Sequence, residues 1–185
     1  QLAAGDVLTR SLAVARERLP EVPLLQLDTR SVPFEDEFDV VGAFDVLEHV
    51  TADEAMLRVL RPALTPSGGL ILTVPQHPRL WSAVDEFSRH RRRYTRRELV
   101  GKLRGAGFDV LRATSFYSFT VPLLWLTRFR RQAADGFDPE RELRIGRPAN
   151  AILGGLAAIE RSLIRGGGSL PAGGSLLVGA RRSTG

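Results

Sequence analysis

The chain has 185 residues, of which 43% are hydrophobic and 25% charged, with a formal net charge of +5 and no cysteine. These proportions sit in the normal globular range, speak against a disordered chain and point to one compact domain with a core. The lack of thiols removes disulfide frameworks, thiolate metal sites and cysteine nucleophiles, and fits a reducing interior such as the cytoplasm.

Gln1 to Asp6 has neither a basic stretch nor a long apolar run, so no secretion signal is read there. Leu8 to Leu19 places Leu12, Ala15 and Leu19 three or four apart with Arg10, Arg16 and Arg18 between them, the pattern of an amphipathic helix that Pro20 stops. Pro23 to Asp28 and Phe38 to Asp45 are short apolar runs ending in a carboxylate and read as buried strands. Thr51 to Leu64 returns to helical spacing, with Thr51 and Glu54 as a capping box, Leu57, Leu60 and Leu64 inward, and Pro66 to Gly69 as the stop. Leu70 to Val74 is a third strand. Thr95 and Glu98 repeat the capping-box pattern ahead of Leu99 to Ala106, Gly107 ends that helix, and Phe108 to Ala113 is a fourth strand. Phe116 to Phe129 is apolar, contains a proline and runs into Arg130 and Arg131; Ala133 to Pro148 is polar without a period. Ala149 to Ile164 reads as a helix with Ile152, Leu156, Ile159 and Leu163 on one stripe, Gly166 to Gly168 break it, and Ser175 to Ala180 is a last strand.

Continuous apolar strands alternating with helices predict an α/β fold: Rossmann-like and doubly wound, a mainly parallel sheet of about five strands with helices on both faces. Ligands in such sheets bind beyond the carboxyl ends of the strands, which selects Asp28, Asp45 and the segment Pro75-Gln76-His77. The chain reads as a single domain over 1–185, with a core over 1–116, a helical segment over 117–170 that forms an acceptor lid or a dimer contact, and a final strand within 171–185.

Phe38-Asp39-Val40-Val41, followed by Asp45-Val46-Leu47-Glu48-His49-Val50, a helix, and Leu64-Thr65-Pro66-Ser67-Gly68-Gly69-Leu70-Ile71-Leu72-Thr73-Val74-Pro75, resembles the class I S-adenosylmethionine (SAM)-dependent methyltransferases, in particular their small-molecule branch. The resemblance covers about residues 1–116 and the final strand. It implies methyl transfer from SAM, with S-adenosylhomocysteine as product, to a small-molecule acceptor. It places Asp6 at the ribose, Asp28 and Thr29 at the adenine, and Ala43 and Phe44 beside the methionine end. Asp6 equally suits a helix start, where an acid meets the positive end of the dipole, and Asp28 a turn after a strand. Asp39, at a strand entrance, is assigned to structure. The glycine-rich loop that these enzymes place after their first strand is not among these residues. The domain is therefore expected to be N-terminally incomplete, with that strand and loop ahead of Gln1 and with weak or no SAM binding by the chain on its own.

His49, just after a strand end, is a candidate general base, or else packs or caps the following helix. His77, Trp81, His90, Arg93 and Tyr94 gather between a strand and the next helix, where the family builds its acceptor pocket. Asp85 and Glu86 lie among them, but the spacing is too irregular to predict a metal. Arg91 to Arg93 suit an acceptor phosphate or carboxylate, or a salt-bridged insert that holds Asp85 and Glu86. Aromatics interleaved as in a single-strand binder are missing, so no nucleic-acid partner is expected. Phe116 to Arg131 is read first as core or homodimer packing, with peripheral membrane contact as the alternative. The competing functions are a nucleotide-binding Rossmann enzyme, which lacks its glycine-rich turn here, and a non-catalytic binding or scaffold domain.

Overall fold

The computed structural model describes residues 2–119, 121–122 and 146–184. Two three-residue strands, β1 (Ala4–Asp6) and β2 (Leu24–Gln26), pair in parallel, with Ala4 opposite Leu24 and Asp6 opposite Gln26. A parallel pair needs a crossover, and α1 (Thr9–Arg18) supplies it where the apolar period placed a helix. No residue of α1 is buried, and Leu19 remains 42% exposed, because two such short strands give the helix a narrow platform. β1 has too few residues to show a periodicity in the sequence.

The larger sheet has four strands in the order β3 (Phe38–Phe44), β4 (Leu64–Pro75), β6 (Ser175–Arg182), β5 (Phe108–Phe116). β3 and β4 are parallel, while β6 runs antiparallel to both β4 and β5. The final strand thus occupies the interior of the sheet, with Leu176, Val178 and Ala180 buried in alternation. This is the Rossmann-like α/β fold expected. Among the described residues no ladder joins the two sheets.

The core is the inner face of β4 and β6, namely Leu70, Leu72, Val74, Leu176 and Val178, against Leu57 of α2 (Asp53–Ala63) and Leu99 and Leu103 of α4 (Arg96–Gly105). Each buried leucine contributes about 2 kcal/mol of transfer free energy. At α4 the expected cap forms: Thr95 Oγ1 accepts from the Glu98 amide at 3.2 Å. The Thr51/Glu54 box does not. The N-cap of α2 is Ala52, and it is Asp53 Oδ1 that accepts the Glu54 amide, at 2.9 Å. The turn expected at Pro66 to Gly69 also differs, since α2 passes directly into β4. Phe38 pairs with Leu64 and Val40 with Gly69, so Thr65 to Gly68 bulge out of the ladder where Pro66 has no amide to donate. Gly107 follows α4 at φ +83°, and a side chain there would meet Arg61, whose Nε donates to the Gly107 carbonyl at 3.0 Å.

The last helix, α5 (Arg147–Arg165), begins two residues earlier than its period suggested, with Pro148 in the first turn. Its apolar stripe is uncovered among the described residues, with Ile152 65% and Ile159 60% exposed. Polar contacts hold it: Glu160 accepts from the amides of Tyr117 (2.7 Å) and Ser118 (2.6 Å), and Arg112 donates to the Ile164 carbonyl at 2.7 Å. The Arg128 to Arg131 run and most of the polar Ala133 to Pro148 segment lie outside the described residues. Among the described residues no helix is long and apolar enough to cross a membrane.

Candidate active site

Both acids assigned to the nucleoside stand at one rim. β1 ends on Asp6 opposite Gln26 of β2, the Leu27 amide donates to the Asp6 carbonyl at 3.1 Å, and Asp28 follows immediately. Asp6 Oδ1 accepts from the Leu8 amide at 2.7 Å, ahead of α1. Asp28 opens a turn closed by a bridge to Ser31, with Thr29 half-buried inside it. Its carboxylate accepts from the Arg30 amide at 2.9 Å and from the Arg30 guanidinium at 2.6 Å, and these hydrogen bonds hold it down at about pKa 2. Asp28 thus forms the turn foreseen for it, whereas Asp6 bonds the amide of Leu8, the residue before α1, whose first turn carries no acid. Ala43 is only 6% exposed and belongs to the core, whereas Phe44, next along β3, is 61% exposed.

Left-handed backbone clusters beyond β3 and β4. Asp45 (φ 52°), His77 (φ 61°) and Arg89 (φ 56°) all adopt it without being glycine, a strained state that the surroundings must enforce. The Asp45 amide donates to the Thr73 carbonyl at 3.0 Å and so ties the end of β3 to β4. After Asp45 a single 3₁₀ turn, Leu47–His49, puts Glu48 inside the protein and His49 at the surface. Glu48 is fully buried and neither carboxylate oxygen has a hydrogen-bond partner among the described residues. Burial, with Asp45 and Asp85 adding repulsion, pushes its pKa up to about 7. Burial and the neighbouring His90 lower that of His49, whose ring lies 4.9 Å from the His90 ring, edge to face.

The segment that follows β4 wraps this cluster. A second 3₁₀ turn (Pro78–Leu80) leads to α3 (Ala83–Phe87), and Asp85, fully buried, accepts from the Ser82 amide at 2.9 Å and the Ser82 hydroxyl at 3.1 Å. Asp85 Oδ1 also meets Arg93 Nε at 2.8 Å and His90 Nδ1 at 2.9 Å. Burial would raise the Asp85 pKa, but these bonds outweigh it and hold it below the usual carboxylate range. His90 Nε2 then lies 3.9 Å from Glu48 Oε1. Trp81, 36% exposed, donates to Glu86 Oε1 at 3.4 Å. His77 is half-buried, its Nε2 buried without a partner among the described residues, and burial with Arg93 lowers its pKa.

The arginine run is consumed by the fold. Arg91 Nε donates to the His49 carbonyl at 3.1 Å, Arg92 to the Thr51 carbonyl at 2.9 Å and to Asp53 at 3.1 Å, and Arg93 to the Gln76 carbonyl at 3.2 Å as well as to Asp85. Tyr94 is fully buried and its hydroxyl donates to Asp53 at 2.9 Å. Arg93 and Tyr94, expected to touch the acceptor, are thus interior groups, because two buried acids claim their donors first. Asp53, which also holds Lys102 Nζ at 2.8 Å, carries much of this latch and was not singled out in the sequence. An acid in the first turn of a helix is the commonest helix decoration, and nothing local marks this one as buried.

The geometry has company among known proteins. A family model described as a methyltransferase domain matches residues 12–113. The chain belongs to this family, as a class I SAM-dependent methyltransferase. None of the curated proteins matches the sequence. Among solved structures, the methyltransferase domain resembles a SAM-dependent methyltransferase from Mesorhizobium loti at TM-score 0.61 and 17% identity, covering 98% of this chain and 80% of that one. Phosphoethanolamine N-methyltransferase 2 from Haemonchus contortus, solved with SAM, is similar at TM-score 0.59 and 19% identity over 97% of this chain and 43% of that one. The [4+2]-cyclase SpnF is similar at TM-score 0.61 and 21% identity over 100% and 68%. Such identities speak for the fold alone, and the cyclase among them illustrates that this fold does not fix the reaction. SAM is the cofactor that membership of the family gives the chain.

Proposed function

We propose that this methyltransferase transfers the methyl group of SAM to a small-molecule acceptor, with Asp6 and Asp28 at the nucleoside and residues 75–94 beside the acceptor. The observation that carries the reading is the parallel register of β1 and β2, which brings two carboxylates to one rim of strand ends. The residues suit a nucleoside: Asp6 Oδ2 has no hydrogen-bond partner among the described residues and can accept from ribose hydroxyls, while Asp28 and Thr29 offer acceptors to an adenine amino group. The exposed Arg30 pair on Asp28 is worth little and yields readily to a ligand. Phe44 offers an exposed ring, and Ala43 its backbone, toward the methionine end.

When bound, the cofactor supplies an electrophilic methyl on a sulfonium, so the protein's main task is to orient the acceptor and exclude water. His49, exposed beyond β3, is the group placed to take a proton from an acceptor that must lose one. His77, Trp81 and His90 border the acceptor, with Arg93 and Tyr94 as the buried supports behind them. Residues 117–170 serve as acceptor lid or homodimer contact, within one domain that works in the cytoplasm without a nucleic-acid partner.

Calorimetry on the full-length protein tests the cofactor assignment. SAM and S-adenosylhomocysteine are expected to bind, and Asp6→Ala to weaken both by about tenfold, the loss of one or two hydrogen bonds to a charged acceptor. Binding of a nicotinamide dinucleotide in their place would overturn the reading, and binding of none would leave a scaffold domain. With methyl-labelled SAM and a cell extract, label is expected in the small-molecule fraction; label confined to protein or RNA sinks the acceptor class.

A further inference from the structure

Glu48, His49 and His90 present one ligating atom each within 4.8 Å of one another. Their spacing offers no reason to group them, because His90 arrives from the far end of the segment after β4. Glu48 is the telling member. A fully buried carboxylate normally collects two or more hydrogen bonds, yet both of its oxygens lack any among the described residues, while Asp53 and Asp85 nearby are saturated. Three arginines run past it within a few residues, and each donates elsewhere.

His90 is oriented as a ligand would be. Its Nδ1 meets the buried Asp85 at 2.9 Å; with the proton on Nδ1, the Nε2 lone pair points to the Glu48 side, 3.9 Å from Oε1. Two such groups that face each other at this distance need positive charge between them, which a proton on either one or a metal ion supplies. Bonds of about 2.1 Å in a tetrahedral arrangement put two donors about 3.4 Å apart, so closing the trio needs side-chain movements of roughly an ångström or a little more. Arg91 and Arg92 are tied to backbone carbonyls and Asp53.

We propose that Glu48, His49 and His90 form a binding site for a divalent transition-metal ion of the zinc type, oriented by Asp85. Two imidazoles and one carboxylate are a borderline donor set that suits zinc, cobalt or iron better than magnesium or calcium. His49 is exposed, so the ion keeps an open position on the solvent side, available to water or to an oxygen of the acceptor. The last point, an ion that holds an acceptor hydroxyl as its alkoxide while the proton leaves to solvent, rests on the methyl-transfer reading; the seat of the ion does not. Such an ion takes the place of His49 as base, because a coordinated imidazole nitrogen has no lone pair left for a proton.

The test uses the full-length protein, freed of metal with a chelator and titrated with zinc by calorimetry and with cobalt by visible absorption. One ion per chain is expected, with the intense visible bands of low-coordinate cobalt and a rise in melting temperature. Glu48→Gln, which keeps the shape of the side chain, is expected to weaken binding at least a hundredfold, His90→Ala similarly, and Asp85→Asn by about ten- to a hundredfold. His77→Ala, outside the trio, should leave it unchanged, and circular dichroism verifies that each variant is folded. Folded wild-type protein that takes up no stoichiometric ion, or uptake that survives both Glu48→Gln and His90→Ala, overturns the proposal. SAM titrated into the same metal-free sample keeps the two readings apart, since SAM binding without zinc binding removes only the metal.

Discussion

Asp53 and Glu48 lie five residues apart, on either side of the start of α2, and both are buried acids, yet the protein treats them in opposite ways. Asp53 is 3% exposed and surrounded by donors from Lys102, Arg92 and Tyr94, whereas Glu48 receives no hydrogen bond among the described residues. Arginines from one short segment reach both neighbourhoods, so the contrast is one of arrangement, not of supply. A fold that saturates one acid and leaves its neighbour bare has spent its donors on scaffold and kept an acceptor in reserve at the rim of strand ends.

The contrast breaks most visibly at Asp53. Asp53→Ala leaves Arg92 without its carboxylate, Lys102 with only the half-exposed Glu54 at 3.6 Å and the buried Tyr94 hydroxyl with only a 3.3 Å contact to the Leu47 carbonyl, and is expected to cost about 3 kcal/mol in a urea unfolding curve. Next in size is the opposite result at Glu48. In metal-free protein at pH 8, Glu48→Gln replaces a bare buried carboxylate with a neutral amide and should stabilise by about 1–2 kcal/mol, read from the same curves; saturating zinc reverses the order of variant and wild type. Acid sharpens the comparison further. Burial alone would raise the Asp53 pKa, but bonds from Lys102 and Tyr94 outweigh it and hold it below the usual carboxylate range. Its contribution is therefore complete above the unfolded value and disappears as pH falls through the lower folded one, so the steep part of acid unfolding below about pH 4 should flatten in Asp53→Asn. The smallest effect is expected far from the latch. Asp6→Ala should change stability by no more than about 1 kcal/mol, the value of one helix-start hydrogen bond, while it weakens SAM binding.

How much of this could be read from residues alone follows the range of the interactions. α1, α2, α4 and the cores of β3 and β4 were legible because their periodicities are local. The extension of β4 through Pro66 and Gly69 was hidden, because residues that signal a turn are equally at home in a bulge when a partner strand pairs on both sides of them. β1 became a strand only by pairing with β2. Of the residues expected at the site, Asp28 was selected because it closes an apolar run, His49 because it follows one and Asp6 by the resemblance alone, whereas the interior bonds of Arg93 and Tyr94 could not be read, since Asp53 and Asp85 meet them only after the chain has folded back. His90 and Glu48 are 42 residues apart and share no motif.

The position of β6 has a consequence for how the protein is made. β4 and β5 each give one edge to β6, Leu72 pairing with Val178 and Ala113 with the same residue from the other side, so neither is fully paired until Ser175–Arg182 is available. On a ribosome those residues emerge after the other strands and the helices described, and until then two long apolar edges stand open to any passing strand. Nascent chains stalled before Ser175 should therefore recruit chaperones and aggregate when released, whereas extending the stall by enough residues to clear the exit tunnel should let the sheet close in one step.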